Sequence, residues 1–536
     1  MRGRPGRLAV HQRKEARSAR NAKGLRQHYR RVIPHSRWPT HAGNGAAPNW
    51  YTPVDMNETP TSPARSPMWL LLLVGIPIAV AAVLRVLGTH NDIWLDEIIS
   101  LQAANDVKSP WQIFSGIHSD NNHYLNTLYL YFVRRQSYGP VYRYLSVLFG
   151  VGLIPAGYWL MARQSRVEAA ILAGLLACSY PLIHFSSEAR GYSGALLGSV
   201  LAYAALTRWL EEKGGLRQSL WMGLTYGLAL VLAVLSHLTA CLIWFPLACG
   251  SFLVLMGRPG RLKSVLWWIA INLPPAIVLG VLYFFDLRHL ELLGGPPMTL
   301  AHGLGRLLAL ALGWPAKDSM TVMIVLAPLA GLTVWQLGTL RKSGDASWIL
   351  LAMIFVTPLA CMLTLQPAFF TLRYFLVTIP FVYVLGAMLL ARLFLAPRGR
   401  AVLAVVLALF VAGQAYLYAE FLRVGRGQFT AGLQYIIAHT PSGPLRMESN
   451  QDFRSIMELS YYAPRVLGNT ELLYVPQQKQ GAIPADWYIY HEEGYDPPGP
   501  PELHLPQQPT WYRVAYFGAS ELSGQVWTIY SHQPAP

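Results

Sequence analysis

The chain has 536 residues, of which 53% are hydrophobic and only 13% are charged. A soluble domain carries roughly 25% charged residues, so this composition indicates that lipid surrounds most of the chain. The net charge of +16 is concentrated in the first 31 residues and in short loops between apolar segments, where the positive-inside rule places lysine and arginine. We therefore expect membrane lipids, and no nucleic acid, as partners.

The cysteines show no C-x-x-C spacing, and all of them lie inside apolar segments. They are typical of small buried hydrophobic side chains, and they predict neither a disulfide framework nor a metal site. They are Cys178, Cys241, Cys249 and Cys361.

Residues 1–66 are basic and then rich in proline, threonine and serine, with no apolar face. This composition predicts a disordered cytoplasmic tail. Residues 67–422 follow as the predicted transmembrane domain, because apolar segments of about 20 residues recur through them. The eleven predicted membrane spans are 68–87, 143–162, 167–185, 191–210, 219–237, 239–257, 265–285, 319–340, 347–365, 373–396 and 401–422.

The charges of the loops fix the predicted orientation. Counted from a cytoplasmic N-terminus, every loop that returns to the cytoplasm is basic, and a missed or extra span would invert this pattern. These loops carry Arg163 and Arg166; Arg208, Lys213 and Arg217; Arg258, Arg261 and Lys263; Arg341 and Lys342; and Arg392, Arg398 and Arg400. The sequence thus predicts an integral protein of a bacterial inner or plasma membrane, with its C-terminus outside the cytoplasm.

Two outer loops are long and contain amphipathic stretches. Those at 98–104, 124–133 and 304–312 predict helices that lie in the membrane interface. Residues 423–536 differ in composition, with charged residues, prolines, alternating stretches at 513–517 and 526–530, and helical patterns at 432–438 and 453–462. They predict a small extracytoplasmic α/β domain.

The first outer loop contains two adjacent carboxylates, Asp96 and Glu97, directly after the first span. Such a pair can act as a general base or as a metal ligand. The alternative is that both side chains simply cap an interfacial helix, whose positive N-terminal dipole favours acidic residues. The dipeptide alone does not separate these interpretations.

Further polar clusters fall on the same predicted side of the membrane. Arginine at the end of a membrane helix is costly unless it meets an anion, so Arg190 and Arg373 suggest a phosphate clamp. Each also has a simpler interpretation: Arg373 could extend to lipid headgroups, and Glu188 could pair with Arg190. The clusters are His118–Tyr124, His184–Tyr192, His237 and Phe370–Tyr374. A further charge cluster, Asp286, Arg288, His289 and Glu291, is predicted to be solvated.

The order of these motifs resembles the GT-C glycosyltransferases, and within them the branch of protein O-mannosyltransferases, aminoarabinose transferase and Rgt-like enzymes. The resemblance covers roughly residues 68–422 and rests on the order and shared sidedness of the motifs. It implies a GT-C-like fold and transfer of a sugar, with inversion, from a polyprenyl-phosphate carrier to an extracytoplasmic glycolipid, polysaccharide or protein.

The resemblance also implies roles for individual residues. Asp96 would be the catalytic carboxylate, with Glu97 as its helper, and a divalent metal ion held by these two could bridge to the phosphate. The implied substrate-binding residues are His123, Glu188, Arg190, Tyr192, His237, Arg373 and Tyr374. Single alternatives remain open for several: Tyr192 and Tyr374 suit an aromatic belt, and His237 suits an interhelical hydrogen bond.

Two other classes of function compete with the enzyme. A transporter or flippase of a lipid-linked substrate would show internal repeats and charges at the membrane midplane, whereas the polar groups here cluster at one face. A non-catalytic assembly protein could share the fold. Substitution of Asp96 by asparagine separates these classes, because only an enzyme should lose turnover while remaining folded.

Overall fold

The structure is a computed structural model that describes residues 68–136, 139–211, 216–290, 299–315, 346–364, 372–440, 443–468, 470–493 and 498–534. The predicted tail 1–66 and the predicted span 319–340 lie outside these residues. Nothing in the described part tests the predicted domain boundaries at 66/67 and 422/423, which stay predictions.

The first part of the described chain is built from apolar helices. Their composition, with long leucine, valine and alanine segments and few charges, is that of helices whose backbone groups are satisfied internally in lipid. They are α1 (Met68–Leu87), α2 (Leu95–Asp106), α3 (Tyr124–Val133), α4 (Tyr144–Ala162), α5 (Arg166–Cys178), α6 (Tyr180–Ser186), α7 (Tyr192–Glu211), α8 (Leu216–Ser236), α9 (Cys241–Met256), α10 (Arg261–Phe285), α11 (Leu300–Ala311), α12 (Ala346–Thr364), α13 (Ile379–Leu395) and α14 (Gly399–Val424).

Several of these helices are long and apolar enough to cross a membrane. Among the described residues there are six by length and composition, or seven if the bent pair α5 and α6 counts as one span. The protein is therefore a helical membrane protein, but the predicted number of eleven spans is not confirmed. The predicted orientation of its termini also stays a prediction.

The predicted span 167–185 is not one straight helix, because α5 and α6 meet at an angle of 59°. The cause is local: Pro181 has no N–H and cannot bond the carbonyl of Ala177 four residues earlier. The side chain of Arg85, buried in α1, donates to the freed carbonyls of Leu176 (3.1 Å) and Ala177 (3.3 Å). Arg85 therefore offsets part of the cost of the break by giving these two carbonyls a donor.

Small residues let α7 and α8 approach closely. A Cβ on Gly198 would lie 2.5 Å from the carbonyl oxygen of Ala229, and one on Gly194 would lie 2.2 Å from the hydroxyl of Ser236. Glycine at such contacts is typical of helix pairs in membranes. The contact fixes the start of α7, where the segment 188–192 enters the helix.

The structure forms helices at all three amphipathic stretches of the outer loops, whereas their position in the membrane interface stays a prediction. The stretch at 98–104 lies within α2, the stretch at 124–133 forms α3, and the stretch at 304–312 corresponds to α11. Along the chain, these three helices lie between the long apolar helices. The first of them, α2, follows α1 after a loop of seven residues, 88–94. The carboxylates of the first outer loop are therefore carried by a helix.

The C-terminal part contains a six-stranded mixed sheet, as the predicted α/β domain requires. The strand order is β2-β1-β3-β6-β5-β4; β1 pairs in parallel with β2 and β3, and the other pairs are antiparallel. The elements are α15 (Phe429–Ala438), β1 (Leu445–Ser449), α16 (Asp452–Val466), β2 (Leu472–Tyr474), β3 (Trp487–Glu493), β4 (Glu502–Leu503), β5 (Trp511–Phe517) and β6 (Gln525–Ser531).

The sheet domain shares its hydrophobic core with α2. Ile98 and Leu101 of α2 are buried in one cluster with Phe429 and Leu433 of α15 and with Trp527 of β6. Burying such side chains stabilises the contact by roughly 1.5–3 kcal/mol each. The helix that carries Asp96 is thus packed against the C-terminal domain along its apolar face.

Candidate active site

Asp96 and Glu97 lie in the first turn of α2, where acidic side chains are stabilised by the helix dipole. The backbone N–H of Trp94 donates to the Glu97 carboxylate at 3.2 Å. The capping role that the sequence offered as an alternative is therefore filled by Glu97. The Asp96 side chain has different partners.

Glu97 is 1% exposed and fully engaged by the protein. Arg143 forms two parallel bonds to it, Nε to Oε1 at 2.7 Å and Nη2 to Oε2 at 2.6 Å, and the backbone N–H of Ala189 donates to Oε1 at 2.7 Å. Burial alone would raise the pKa of Glu97, but Arg143 and the Ala189 amide outweigh burial and lower it. Glu97 therefore joins α2 to the start of α4 and to the loop before α7.

Asp96 lies between two arginines from distant parts of the chain. Its Oδ2 accepts hydrogen bonds from the guanidinium groups of both Arg190 and Arg373. Burial by itself would raise the pKa of Asp96, but the two arginines lower it, so the carboxylate is ionised. Its backbone carbonyl is held by Ser100 and Asn121, each at 2.8 Å.

The site is partly open. The side chains of Asp96 and Arg373 are 18% and 22% exposed, whereas that of Arg190 is 5% exposed. The structure therefore brings together the three residues on which the predicted phosphate clamp depends, and it does so at a position that a ligand can reach.

Arg190 is oriented by a neutral histidine. Its Nε donates to His123 Nε2 at 3.0 Å, so this nitrogen carries no proton. Burial, and then the charge of Arg190, lowers the pKa of His123 well below its ordinary value. The rings of His237 lie against both His123, at 4.5 Å between centroids, and Tyr192, at 4.4 Å. These predicted site residues form one aromatic wall behind Arg190.

A glycine makes this wall possible. A Cβ on Gly191 would lie 1.6 Å from the carbonyl oxygen of Ser236 and 3.1 Å from the His123 side chain. No other residue fits there without moving the backbone. The glycine between Arg190 and Tyr192 therefore allows their segment to lie directly against the end of α8.

Arg373 approaches Asp96 from the short helical turn at Leu372–Thr378. Its guanidinium carbon lies 5.2 Å from the centre of the Trp94 ring, a cation–π distance. The Arg373 side chain is directed at Asp96, whereas the alternative interpretation had it extending to lipid headgroups. Tyr374 is half-buried and packs against the apolar core of the helices.

Glu188 is fully buried behind the site. Its Oε1 accepts from the Trp94 indole at 3.0 Å and lies 3.9 Å from Arg190 Nε. Its Oε2 accepts from the Ser523 hydroxyl at 3.2 Å and lies 3.8 Å from Arg426 Nε. The alternative of a simple Glu188–Arg190 pair is thus incomplete, because Arg190 contacts Asp96 more closely.

The sequence analysis missed several residues that build the site. The rule that picked out Arg190 and Arg373, a cation at the end of an apolar helix, applies equally to Arg143. Asn121 lies in the predicted polar cluster His118–Tyr124 without an assigned role, and Ser523 carries no comparable signal, because its partners are fixed only by packing between distant segments.

One expectation for the second long outer loop is wrong. Asp286 was expected to be a solvated charge, but it is fully buried, with Oδ1 2.6 Å from His118 Nδ1 and Oδ2 accepting from the Tyr124 hydroxyl at 2.6 Å. These partners offset the cost of burying the carboxylate. Arg288 and His289 are exposed, as expected, and Glu291 lies outside the described residues.

The carboxylates of Asp96 and Glu97 do not fit a divalent cation in this arrangement. Guanidinium groups and backbone amides, which are donors, bind both oxygens of Glu97 and Oδ2 of Asp96, so the pair does not offer the several free oxygens that a divalent cation needs. Within the described ranges, no group of three or more histidine, cysteine, aspartate or glutamate side chains is placed to hold a metal.

No protein-family model matches the sequence, and no curated protein matches it at a significant level. Among solved structures, ArnT from Cupriavidus metallidurans bound to undecaprenyl phosphate is 13% identical, over 88% of this chain and 99% of that one, with a TM-score of 0.48. Apo ArnT is 14% identical, over 79% and 93%, with a TM-score of 0.47.

The Archaeoglobus fulgidus oligosaccharyltransferase AglB, in complex with an inhibitory peptide and a dolichol-phosphate, is also similar. It is 11% identical, over 79% of this chain and 69% of that one, with a TM-score of 0.43. ArnT and AglB are GT-C fold glycosyltransferases, the family that the order of motifs resembles. These identities and TM-scores are too low to carry an argument about the activity of this protein.

Proposed function

We propose that the protein is a membrane glycosyltransferase that moves a sugar from a polyprenyl-phosphate carrier to an extracytoplasmic acceptor, with inversion. One observation carries the proposal: an ionised, partly open carboxylate, Asp96, lies between two arginines beside a bundle of apolar helices. Apolar helices suit the carrier chain, the arginines suit its phosphate, and the carboxylate suits a proton acceptor.

Arg190 and Arg373 are positioned to bind one phosphate together. Both contact the same oxygen of Asp96, so a phosphate with several oxygens can engage both guanidinium groups at once. Because they come from segments 183 positions apart in the sequence, the clamp forms only in the folded protein. A phosphate that takes over these bonds leaves Asp96 free to accept a proton.

The proposed transfer is a single displacement. The acceptor hydroxyl attacks the anomeric carbon from the face opposite the phosphate, and its proton passes to Asp96. The bond between the anomeric carbon and the phosphate oxygen breaks, and its electron pair leaves with the phosphate. Arg190 and Arg373 stabilise the charge that develops on that oxygen.

The remaining predicted residues support these groups. We assign Glu97 the role of fixing the first turn of α2, because all of its bonds are to the protein. His123 orients Arg190 through a neutral ring nitrogen. His237 and Tyr192 line the wall behind Arg190, Tyr374 follows Arg373 at the edge of the site, and Glu188 holds Trp94.

The first experiment measures transfer of radiolabelled sugar by the purified protein from undecaprenyl-phosphate and dolichyl-phosphate donors, with the anomeric configuration of the product determined. Wild type should transfer with inversion, and Asp96→Asn should not. Asp106→Asn is the matched control, because Asp106 is an exposed carboxylate in the last turn of the same helix. Transfer should persist with a chelator, since Asp96 and Glu97 do not fit a metal.

A second readout covers the case in which the right sugar is missing from the donor panel. Undecaprenyl phosphate without a sugar should bind wild type and should bind Arg190→Gln and Arg373→Gln at least tenfold more weakly, the loss expected for a charged hydrogen bond. A folded wild type that binds neither carrier phosphate would overturn the proposal. Carrier movement across vesicles without transfer would favour the transporter.

A further inference from the structure

The C-terminal domain reaches into the helical part through one loop. We call residues 518–524, between β5 and β6, the docking loop. Its Leu522 is 5% exposed and belongs to the hydrophobic core of the membrane helices. The side chain of Glu521 accepts from Arg306 of α11, with Nη2 at 2.6 and 2.7 Å from the two carboxylate oxygens. A loop of a soluble sheet is thus anchored in the membrane part.

The backbone of the docking loop is fixed as closely as its side chains. Ser520 N–H donates to the carbonyl of Gly425 at 2.9 Å, and Gln525 N–H donates to that of Arg426 at 3.0 Å. Gly524 has a φ of +128°, and a Cβ there would lie 2.2 Å from the Arg426 carbonyl oxygen. Only glycine permits this approach.

Ser523 at the tip of the docking loop has two buried partners. Its hydroxyl donates to Glu188 Oε2 at 3.2 Å and lies in hydrogen-bond contact with His184 Nε2. A serine hydroxyl has one proton, so the histidine nitrogen must be the donor in the second bond. The chain of bonds therefore runs from His184 through Ser523 to Glu188.

Glu188 continues this chain to the candidate active site. Its other oxygen accepts from the Trp94 indole at 3.0 Å, and the Trp94 ring lies beneath Arg373. The same oxygen lies 3.9 Å from Arg190 Nε, just beyond a hydrogen bond. Arg190 Nε is bonded to His123 and its Nη1 to Asp96, so Glu188 Oε1 faces Arg190 without a hydrogen bond and is held by the Trp94 indole instead.

We propose that Ser523 is a positioning residue for the candidate active site, supplied by the C-terminal domain from behind the site. By holding Oε2 of Glu188, Ser523 keeps Oε1 on the indole of Trp94, which lies beneath Arg373, and keeps that oxygen facing Arg190. The effect on transfer rests on the proposed function; the effect on the geometry of the site does not. The C-terminal domain then acts on the phosphate clamp without contacting the donor.

Ser523→Ala tests this link, because it leaves Arg426 Nε, 3.8 Å away, as the nearest cation to Glu188 Oε2, and a carboxylate that turns toward Arg426 withdraws Oε1 from Trp94 and Arg190. The Michaelis constant for the carrier donor should rise about tenfold, the cost of one hydrogen bond to a charged group, with a smaller change in kcat. Ser523→Thr, which keeps the hydroxyl, should have a Michaelis constant close to that of wild type. Ser531→Ala is the matched control, since Ser531 lies at the far end of β6 and its hydroxyl donates to the nearby carbonyl of Gln533.

Amide hydrogen exchange provides a readout that does not depend on activity. In the full-length protein, Ser523→Ala should speed exchange at least threefold in peptides that cover 94–98 and 187–191, whereas Ser531→Ala should not. Unchanged exchange in both peptides would overturn the positioning role whatever the protein transfers. Faster exchange in a protein that binds no carrier phosphate would retain the role and reject the proposed function.

A charge exchange guards against a misfolded alanine variant. Glu521→Arg should loosen the docking loop and reproduce the effects of Ser523→Ala on exchange, and adding Arg306→Glu should reverse them. If the double variant behaves like Glu521→Arg alone in an otherwise folded protein, the docking loop does not control the site.

Discussion

The candidate active site and the core of the C-terminal domain both bury a glutamate, but they treat it differently. Glu97 meets the guanidinium of Arg143, and its pKa falls below the ordinary range. Glu458 of α16 accepts from the Trp527 indole at 2.9 Å and lies 3.7 Å from His491. With Arg454 as the only cation that acts on it among the described residues, burial raises the pKa of Glu458 to about 8.

The difference shows what the arginines of the membrane part contribute. Desolvation disfavours both carboxylates, and a close guanidinium decides whether the charge survives. The C-terminal core keeps a neutral acid, which suits packing. The candidate site instead keeps Asp96 and Glu97 charged beside charged arginines, so the cations that the proposed phosphate would meet are already fixed in place.

The largest expected effect comes from removing the charge of Asp96. Asp96→Asn should lower turnover by roughly 10²–10⁴-fold, the contribution of a positioned general base. The same variant should bind undecaprenyl phosphate more tightly than wild type, because Arg190 and Arg373 lose their competing anion. Turnover and carrier binding, measured on the same preparation, check both signs. Weaker binding would show that Asp96 orients the arginines instead of competing for them.

Removing Arg143, the cation bonded to Glu97, should destabilise the protein. Arg143→Met should destabilise the protein by about 3–5 kcal/mol, since the buried carboxylate of Glu97 then loses the cation that is hydrogen-bonded to it. Combining it with Glu97→Gln should recover most of this loss, as a neutral pair carries no buried charge. Thermal unfolding in detergent measures all three variants. Equal destabilisation by Arg143→Met and by the double variant would mean that Arg143 acts through its bonds to the carbonyls of Thr89, Asn91 and Asp92.

The sequence carried enough information to identify the centre of the site. Arg190 and Arg373 are 183 positions apart. The topology predicted from the basic cytoplasmic loops nevertheless places both on the same face of the membrane as Asp96. The structure then joins both to one oxygen of that carboxylate. The chemical role of the three stays a prediction.

Other features depend on packing that no local pattern encodes. The sequence predicted one straight span over 167–185, and the bend at Pro181, stabilised by Arg85, depends on which side chain meets the freed carbonyls. Asp286 is buried because His118 and Tyr124 fold over it. Ser523 reaches Glu188 only because the C-terminal sheet docks against the membrane helices.

Glu458 is a buried acid that stays neutral, unlike Glu97, and a substitution there removes a proton-binding group instead of a charge. Its pKa is raised from 4.5 to about 8, so the folded protein holds a proton that the unfolded chain releases. The stability it contributes is therefore fully present below pH 4.5 and is lost as the pH rises to about 8. The pKa of His491, lowered to about 3 by burial, acts in the opposite direction, because stability is lost as the pH falls below 6.5.

Glu458→Gln removes only the first of these contributions. Between pH 5 and 8 the free energy of unfolding of wild type should fall relative to the variant by up to about 1.4 kcal/mol per pH unit, and the variant should be the more stable protein at pH 8. Glu502→Gln, at an exposed glutamate of β4, should run parallel to wild type. Amide exchange of α16 and β6 across this pH range measures the difference within the domain. Parallel curves for all three proteins would mean that the carboxylate is already ionised at neutral pH, and that Arg454 compensates Glu458 as Arg143 compensates Glu97.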